Sequence, residues 1–147
     1  MIDASIKQVF DYMSTPENDF QWQYGTLATA TITNRHNGMG VYFRSIGHLM
    51  GRRNLSTFEV TEYELNSKYG FKSLSGPLHS QTSYTFEMAE GGTRINVSTR
   101  THVASFFQVS ERALGEKIKN QLKENLTMLK DLLERKGSSL EATLLAI

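Results

Sequence analysis

The stretch SFFQVSERALGEKIKNQLKENLTMLKDLLERKG, residues 105–137, carries the longest helical pattern in the chain. At about 100° per residue on a helical wheel, Phe107, Leu114, Ile118, Leu122, Leu126, Leu129, Leu132 and Leu133 fall within a sector roughly 120° wide. That is one apolar face. Ser105 and Gln108 stand at capping-box spacing, so hydroxyl and amide can satisfy backbone N–H groups left over by the first turn. Arg135 and Lys136 lie where the helix dipole favours cations, and Gly137 can take the left-handed conformation that closes a helix. Some 31 residues at 1.5 Å each make a rod of about 46 Å. A lone amphipathic helix is only marginally stable in water, so the rest of the chain must supply a broad apolar partner.

Outward from the helix, the composition narrows the class. A chain of 147 residues fits one domain, with 1–137 as the domain and 138–147 as a tail. The sequence has no cysteine, which removes disulfides, thiolate catalysis and cysteine-ligated metals and fits a reducing compartment. No apolar run approaches the roughly 18 residues of a membrane span, and the start, Met1-Ile2-Asp3-Ala4, is no signal peptide. The expectation is a soluble, cytoplasmic protein without membrane insertion. A formal net charge of +1 with mixed signs gives no electrostatic footprint for nucleic acid.

Upstream, Ser5 and Gln8 cap a short helical pattern of Ile6, Val9, Phe10 and Met13. Thr15-Pro16 then starts a second short helix, to about Gln23, carrying Phe20 and Trp22. From Thr26 the texture becomes strand-like. Six strands are expected over Thr26–Asn34, Val41–Leu49, Arg53–Tyr63, Lys68–Ser75, His79–Ala89 and Thr93–His102, separated by turns at 36–40, Asn66-Ser67, Ser75-Gly76-Pro77 and Gly91-Gly92. Tight turns between consecutive strands imply an antiparallel meander, and the alternation implies one buried face. Only the long helix looks able to cover that face. The fold class is therefore α+β, a curved antiparallel sheet wrapped around a long C-terminal helix, with two short helices near the N-terminus.

Several local stretches, in this order, carry a family resemblance. They are Ile2-Asp3-Ala4-Ser5 through Met13, Pro16-Glu17-Asn18 with Trp22, Gly51-Arg52-Arg53, Glu59 to Tyr63, Ser75-Gly76-Pro77, and Tyr84 to Glu87 before Gly92-Thr93-Arg94. The chain up to about Lys136 resembles the START/Bet v 1-like (SRPBCC) superfamily, and within it the polyketide cyclase/dehydrase-like proteins. The resemblance implies a helix-grip fold with a cavity between sheet and long helix, holding an apolar or amphipathic small molecule. It implies no single reaction, no transferable catalytic set and no cofactor. Resembling domains begin with a full strand where this chain has only Met1-Ile2-Asp3. Either a strand is lacking or a sheet edge is open for pairing with a second copy as a homodimer.

Candidate site residues follow from that placement. The cavity wall is expected from Trp22, Phe43, Phe58, Phe71, Tyr84, Phe86 and Phe107, together with Glu111, Gly115, Ile118 and Leu122 of the long helix. Trp22 lies at the end of the second short helix, which in the resembling family sits over one cavity end. Tyr69 and Phe20 are aromatics of the same core-or-wall group.

Polar residues within the helix's apolar sector are Glu111 and Asn125. Glu111 is a candidate general acid or base if it faces an apolar cavity, or simply a glutamate favoured by the helix dipole. Gly115 marks either close approach and room for a ligand or a packing accommodation. Of His36, His48, His79 and His102, none has metal-site spacing. His79 is the candidate for the cavity mouth, with ordinary solvent exposure as its alternative. The tail is apolar at Leu140, Leu144, Leu145 and Ile147, and either folds back, packs on a second subunit or stays unstructured. Two functions are consistent with this pattern. One is binding of a small hydrophobic or aromatic ligand, lipids included; the other is a cyclase, dehydrase or aromatase using the same cavity, with Glu111, His79 or a tyrosine moving protons.

Overall fold

A computed structural model describes residues 1–33, 38–49, 52–76, 78–103 and 111–146, with the side chains at 49, 78, 102–103, 111–114 and 135–146 outside the description. Helix α1 spans Ile6–Met13, a single 3₁₀ turn Pro16–Asn18 follows, and α2 spans Asp19–Trp22. The strands are β1 Thr26–Thr31, β2 Tyr42–Leu49, β3 Arg52–Glu64, β4 Lys68–Ser75, β5 Leu78–Ala89 and β6 Gly92–Val103, and α3 runs Glu111–Ala146. All six strands join one antiparallel sheet in the order β1-β2-β3-β4-β5-β6. A single antiparallel sheet with a long C-terminal helix is the arrangement that the family resemblance implies.

Local chemistry sets the element ends. The Gln8 N–H donates to the Ser5 hydroxyl at 3.2 Å, the N-cap that the spacing predicts. At the other end of α1 the Ser14 N–H donates to the Phe10 carbonyl, and Pro16 then starts the 3₁₀ turn at a position where its missing N–H costs nothing. Asn66, with φ of 60°, makes the left-handed turn from β3 to β4.

The sheet's inner face is covered by more than the long helix, which corrects the expectation that α3 alone could do it. Val9, Phe10 and Met13 of α1, Trp22 of α2, and Leu129 and Leu133 of α3 are buried with Val60, Tyr69, Tyr84 and Phe86 of the sheet. Phe10 meets Tyr63 and Phe86 edge-on at centroid distances of 5.3 and 5.2 Å. The two short helices therefore carry core as well as connecting elements. Met88, which shares strand parity with Tyr84 and Phe86, is nonetheless 80% exposed.

Two further expectations change. Helix α3 continues through Gly137 to Ala146, so 138–146 is helix rather than a separate tail. Gly137 permits a helix end without requiring one, and the Leu140-Glu141-Ala142 run that follows favours helix. The predicted start at Ser105 lies outside the described residues, as does the turn at His36. At the N-terminus, Ile2 and Thr93 exchange both backbone hydrogen bonds at 2.8 Å, and the Thr93 hydroxyl donates to the Ala4 carbonyl at 2.8 Å. One residue thus pairs with the start of β6, whose outer edge is otherwise unpaired among the described residues.

Candidate functional site

Large side chains do not fill the whole inner face. Phe43, Ser45 and Gly47 of β2 face inward beside Asn54, Ser56 and Phe58 of β3, with Phe71 of β4 and Ser80 of β5 completing the wall. Small residues at Ser45, Gly47, Ser56 and Ser80 leave a half-open cavity of about 180 Å³. Its aromatic side is a three-ring cluster: Phe43 stacks on Phe58 at 5.1 Å, and Phe71 meets both edge-on at 5.5 Å.

The end of the cavity is closed by the turn from α2 into β1, through Gln23, Tyr24, Gly25 and Thr26. Close backbone approach makes this closure possible. The His48 N–H donates to the Gly25 carbonyl at 2.7 Å, and a Cβ on Gly47 would lie 2.6 Å from that same oxygen. A bulge between Thr26 and Ala28 interrupts the pairing of β1 with β2, and Thr26 joins the lining. From α3, the Asn125 carboxamide oxygen accepts the Tyr24 N–H at 2.9 Å and the Gln121 amide at 3.0 Å. Asn125, an irregular position in the helix's apolar sector, therefore clamps the rim of the cavity.

Asp19 is the most unusual lining group. It begins α2 with 8% of its surface exposed, and its carboxyl makes no hydrogen bond among the described residues. Burial, and then the charge of Glu17, hold that carboxyl well above the usual aspartate range. Glu17 itself accepts the Thr31 N–H at 2.6 Å, pinning the 3₁₀ turn to β1. The phenols of Tyr69, Tyr84 and Tyr12 are each raised by burial first and by the charge of Asp19 second.

The predicted site residues separate into groups. Phe43, Phe58 and Phe71 line the cavity. Trp22, Tyr84 and Phe86 are buried in the adjoining core, with Trp22 edge-on to Tyr84 at 6.2 Å and its indole N–H unpartnered among the described residues. Ile118 and Leu122 are half-buried on α3, away from the cavity lining. Gly115 is exposed, and a Cβ there would meet nothing within 4 Å, so close approach is not what this glycine provides. His79 is exposed and its neighbour Ser80 reaches the cavity in its place. Phe107 lies outside the described residues, and so does the side chain of Glu111.

Sequence reasoning missed Asp19, His48, Asn54 and the three serines. The serines had a usable signal. Ser45 shares strand parity with Phe43, and Ser56 with Phe58, so each marks a gap in an otherwise aromatic face. Among the described residues, no cluster of three or more potential metal ligands occurs, and no helix is long and apolar enough to cross a membrane.

Comparison with solved structures supports the same architecture. A START superfamily protein from Mycobacterium smegmatis superposes with a TM-score of 0.78 at 14% identity, over 91% of this chain and 92% of that one. A Thermus thermophilus protein gives 0.75 at 18% identity, over 92% and 93% of the two chains. The ZhuI aromatase/cyclase from Streptomyces sp. R1128 gives 0.72 at 13% identity, over 92% and 90%. At these identities the likeness is one of fold. No curated protein matches the sequence significantly. The family model described as polyketide cyclase/dehydrase and lipid transport matches residues 1–134, nearly the whole of the helix-grip unit, and the chain belongs to that family.

Proposed function

We propose that this protein binds a small hydrophobic or aromatic molecule in the cavity between β2–β5 and the α2–β1 turn. The observation that carries the reading is the unfilled volume of about 180 Å³ beside three mutually packed phenylalanine rings. Drug-sized sites run to roughly 300–1,000 Å³, whereas an apolar cavity of about 150 Å³ holds a benzene. The size therefore favours a one- or two-ring molecule over a long acyl chain. Rings give affinity through apolar contact, and the hydroxyls of Ser45, Ser56 and Ser80 give orientation. Family membership points the same way, toward ligand binding or cyclase-type chemistry. Native mass spectrometry of the purified protein, followed by extraction of whatever is bound, tests the reading. A bound aromatic species is the expected result; no adduct, together with no thermal shift from any one- or two-ring compound, would overturn it.

A catalytic version, of the cyclase/dehydrase kind, is favoured by one observation, the buried carboxyl of Asp19 on the cavity wall, which burial holds well above the usual aspartate range. On this reading Asp19→Asn abolishes turnover of a cyclisable substrate while leaving its binding intact. Equal loss of both would remove the catalytic reading.

A further inference from the structure

Most buried carboxyls are paired with a cation or with backbone N–H groups, since an unpaired one is costly. Asp19 has neither among the described residues, yet it lines the end of the inner face that side chains leave open. The surroundings decide which form it takes. The charge of Glu17, on the 3₁₀ turn, acts on the carboxyl, the carboxyl acts in turn on the phenols of Tyr12 on α1, Tyr69 on β4 and Tyr84 on β5, and Asp19 shares the cavity lining with His48 of β2. No lysine or arginine is among the described lining residues. Burial and a neighbouring carboxylate both favour the neutral acid, which has an O–H to donate and no described acceptor for it.

We infer that Asp19 is the polar anchor of the cavity, donating a hydrogen bond to a carbonyl or similar acceptor oxygen of an uncharged one- or two-ring ligand. The inference rests on the cavity being a ligand site and adds the ligand's polarity. Apolar packing against Phe43, Phe58 and Phe71 holds the ring, and Asp19 fixes its oxygen-bearing end. A ligand carboxylate is rejected, because it would bring a second negative charge to a site that already holds Glu17 nearby and offers no lysine or arginine among its described lining.

The test is calorimetric titration with four probes of matched ring system: tetralin, its ketone α-tetralone, and the corresponding amine and carboxylic acid. The expected result is that wild-type protein binds the ketone about tenfold more tightly than tetralin and rejects the carboxylate, one hydrogen bond being worth roughly that ratio. Ketone affinity should fall as pH rises through the ionisation of Asp19, because the donor proton is then lost. Asp19→Asn keeps an N–H donor, so it should retain the ketone preference and lose the pH dependence; it also keeps His48, which separates the two groups. Asp19→Leu should bind ketone and tetralin alike.

A ketone-to-tetralin ratio unchanged in Asp19→Leu would overturn the anchor while leaving the cavity reading intact. Preference for the amine, strengthening with pH, would also overturn it, since Asp19 would then act as an anion. Failure of all four probes to bind wild-type protein would remove the cavity reading and the anchor together.

Discussion

Toward one end of the inner face, Val60, Tyr69, Tyr84 and Phe86 meet Phe10, Met13, Trp22, Leu129 and Leu133, and the space is filled. Toward the other, the aromatic row of Phe43, Phe58 and Phe71 is interleaved with Ser45, Ser56 and Ser80, and about 180 Å³ is left. Both ends belong to the same sheet and have the same pleat. The difference lies in residue size on one parity of the strands and in which helices lie above. Residues 115–120 of α3 are exposed or half-buried, whereas Leu129 and Leu133 are fully seated. Close packing and open space are thus assigned to opposite ends of one surface, a division that a uniformly packed sheet could not make.

The comparison is broken most severely by emptying the filled end. Phe10→Ala should cost about 3–5 kcal/mol, read as a lower denaturant midpoint, because a fully buried ring leaves a cavity its neighbours cannot close. Phe58→Ala, at the open end, should cost roughly half as much, since the ring is half-buried and already borders empty space. Its main effect should be a cavity that accepts a larger ring. Equal costs for the two would mean that the open end contributes as much to stability as the filled one.

A second test sharpens the electrostatic side. The folded-state pKa of Asp19 is raised, so its contribution is most favourable below the unfolded value and is lost as pH rises through the folded value. Wild-type protein should lose stability over that rise, and Asp19→Asn should not. A parallel pH dependence in the two proteins would show that the carboxyl is not held protonated.

The smallest effect concerns the rim. Asn125→Ala should cost about 1–2 kcal/mol by leaving the Tyr24 N–H without its acceptor. Hydrogen exchange at Tyr24 should quicken while exchange in β5 and β6 stays as it was. Unchanged exchange at Tyr24 would mean that the turn does not need its clamp.

Much of the fold is legible in the sequence, and the reasons are local. Strand alternation and turn residues place all six strands within a residue or two, apart from β1, which ends at Thr31 rather than Asn34. The resemblance names Phe43, Phe58 and Phe71 as wall candidates, and all three line the cavity. Asp19 is not legible, because a carboxylate at the start of a short helix ordinarily reads as a dipole partner facing water. Its burial comes with the tertiary placement of α2 against β1 and α3, which no periodicity encodes. The cover supplied by α1 escapes notice for a related reason: an eight-residue amphipathic helix looks minor beside a long one until its ring meets Phe86. Gly115 misleads in the opposite sense, since a glycine on an apolar stripe suggests contact where the structure has open space.

The tie between Asp3 and Glu134, whose carboxylate accepts the Asp3 N–H at 2.9 Å across 131 residues of chain, has a consequence for assembly. Each strand pairs with its neighbour in sequence, so the hollow end is built from consecutive hairpins. The filled end needs α1 to find the far half of α3. In the unfolded chain, closing a loop of that length costs about 2 kcal/mol more entropy than closing a dozen-residue one, on logarithmic scaling. The strand pairings that build the cavity wall are therefore low in contact order, and the clasp at the filled end, which spans 131 residues, is high.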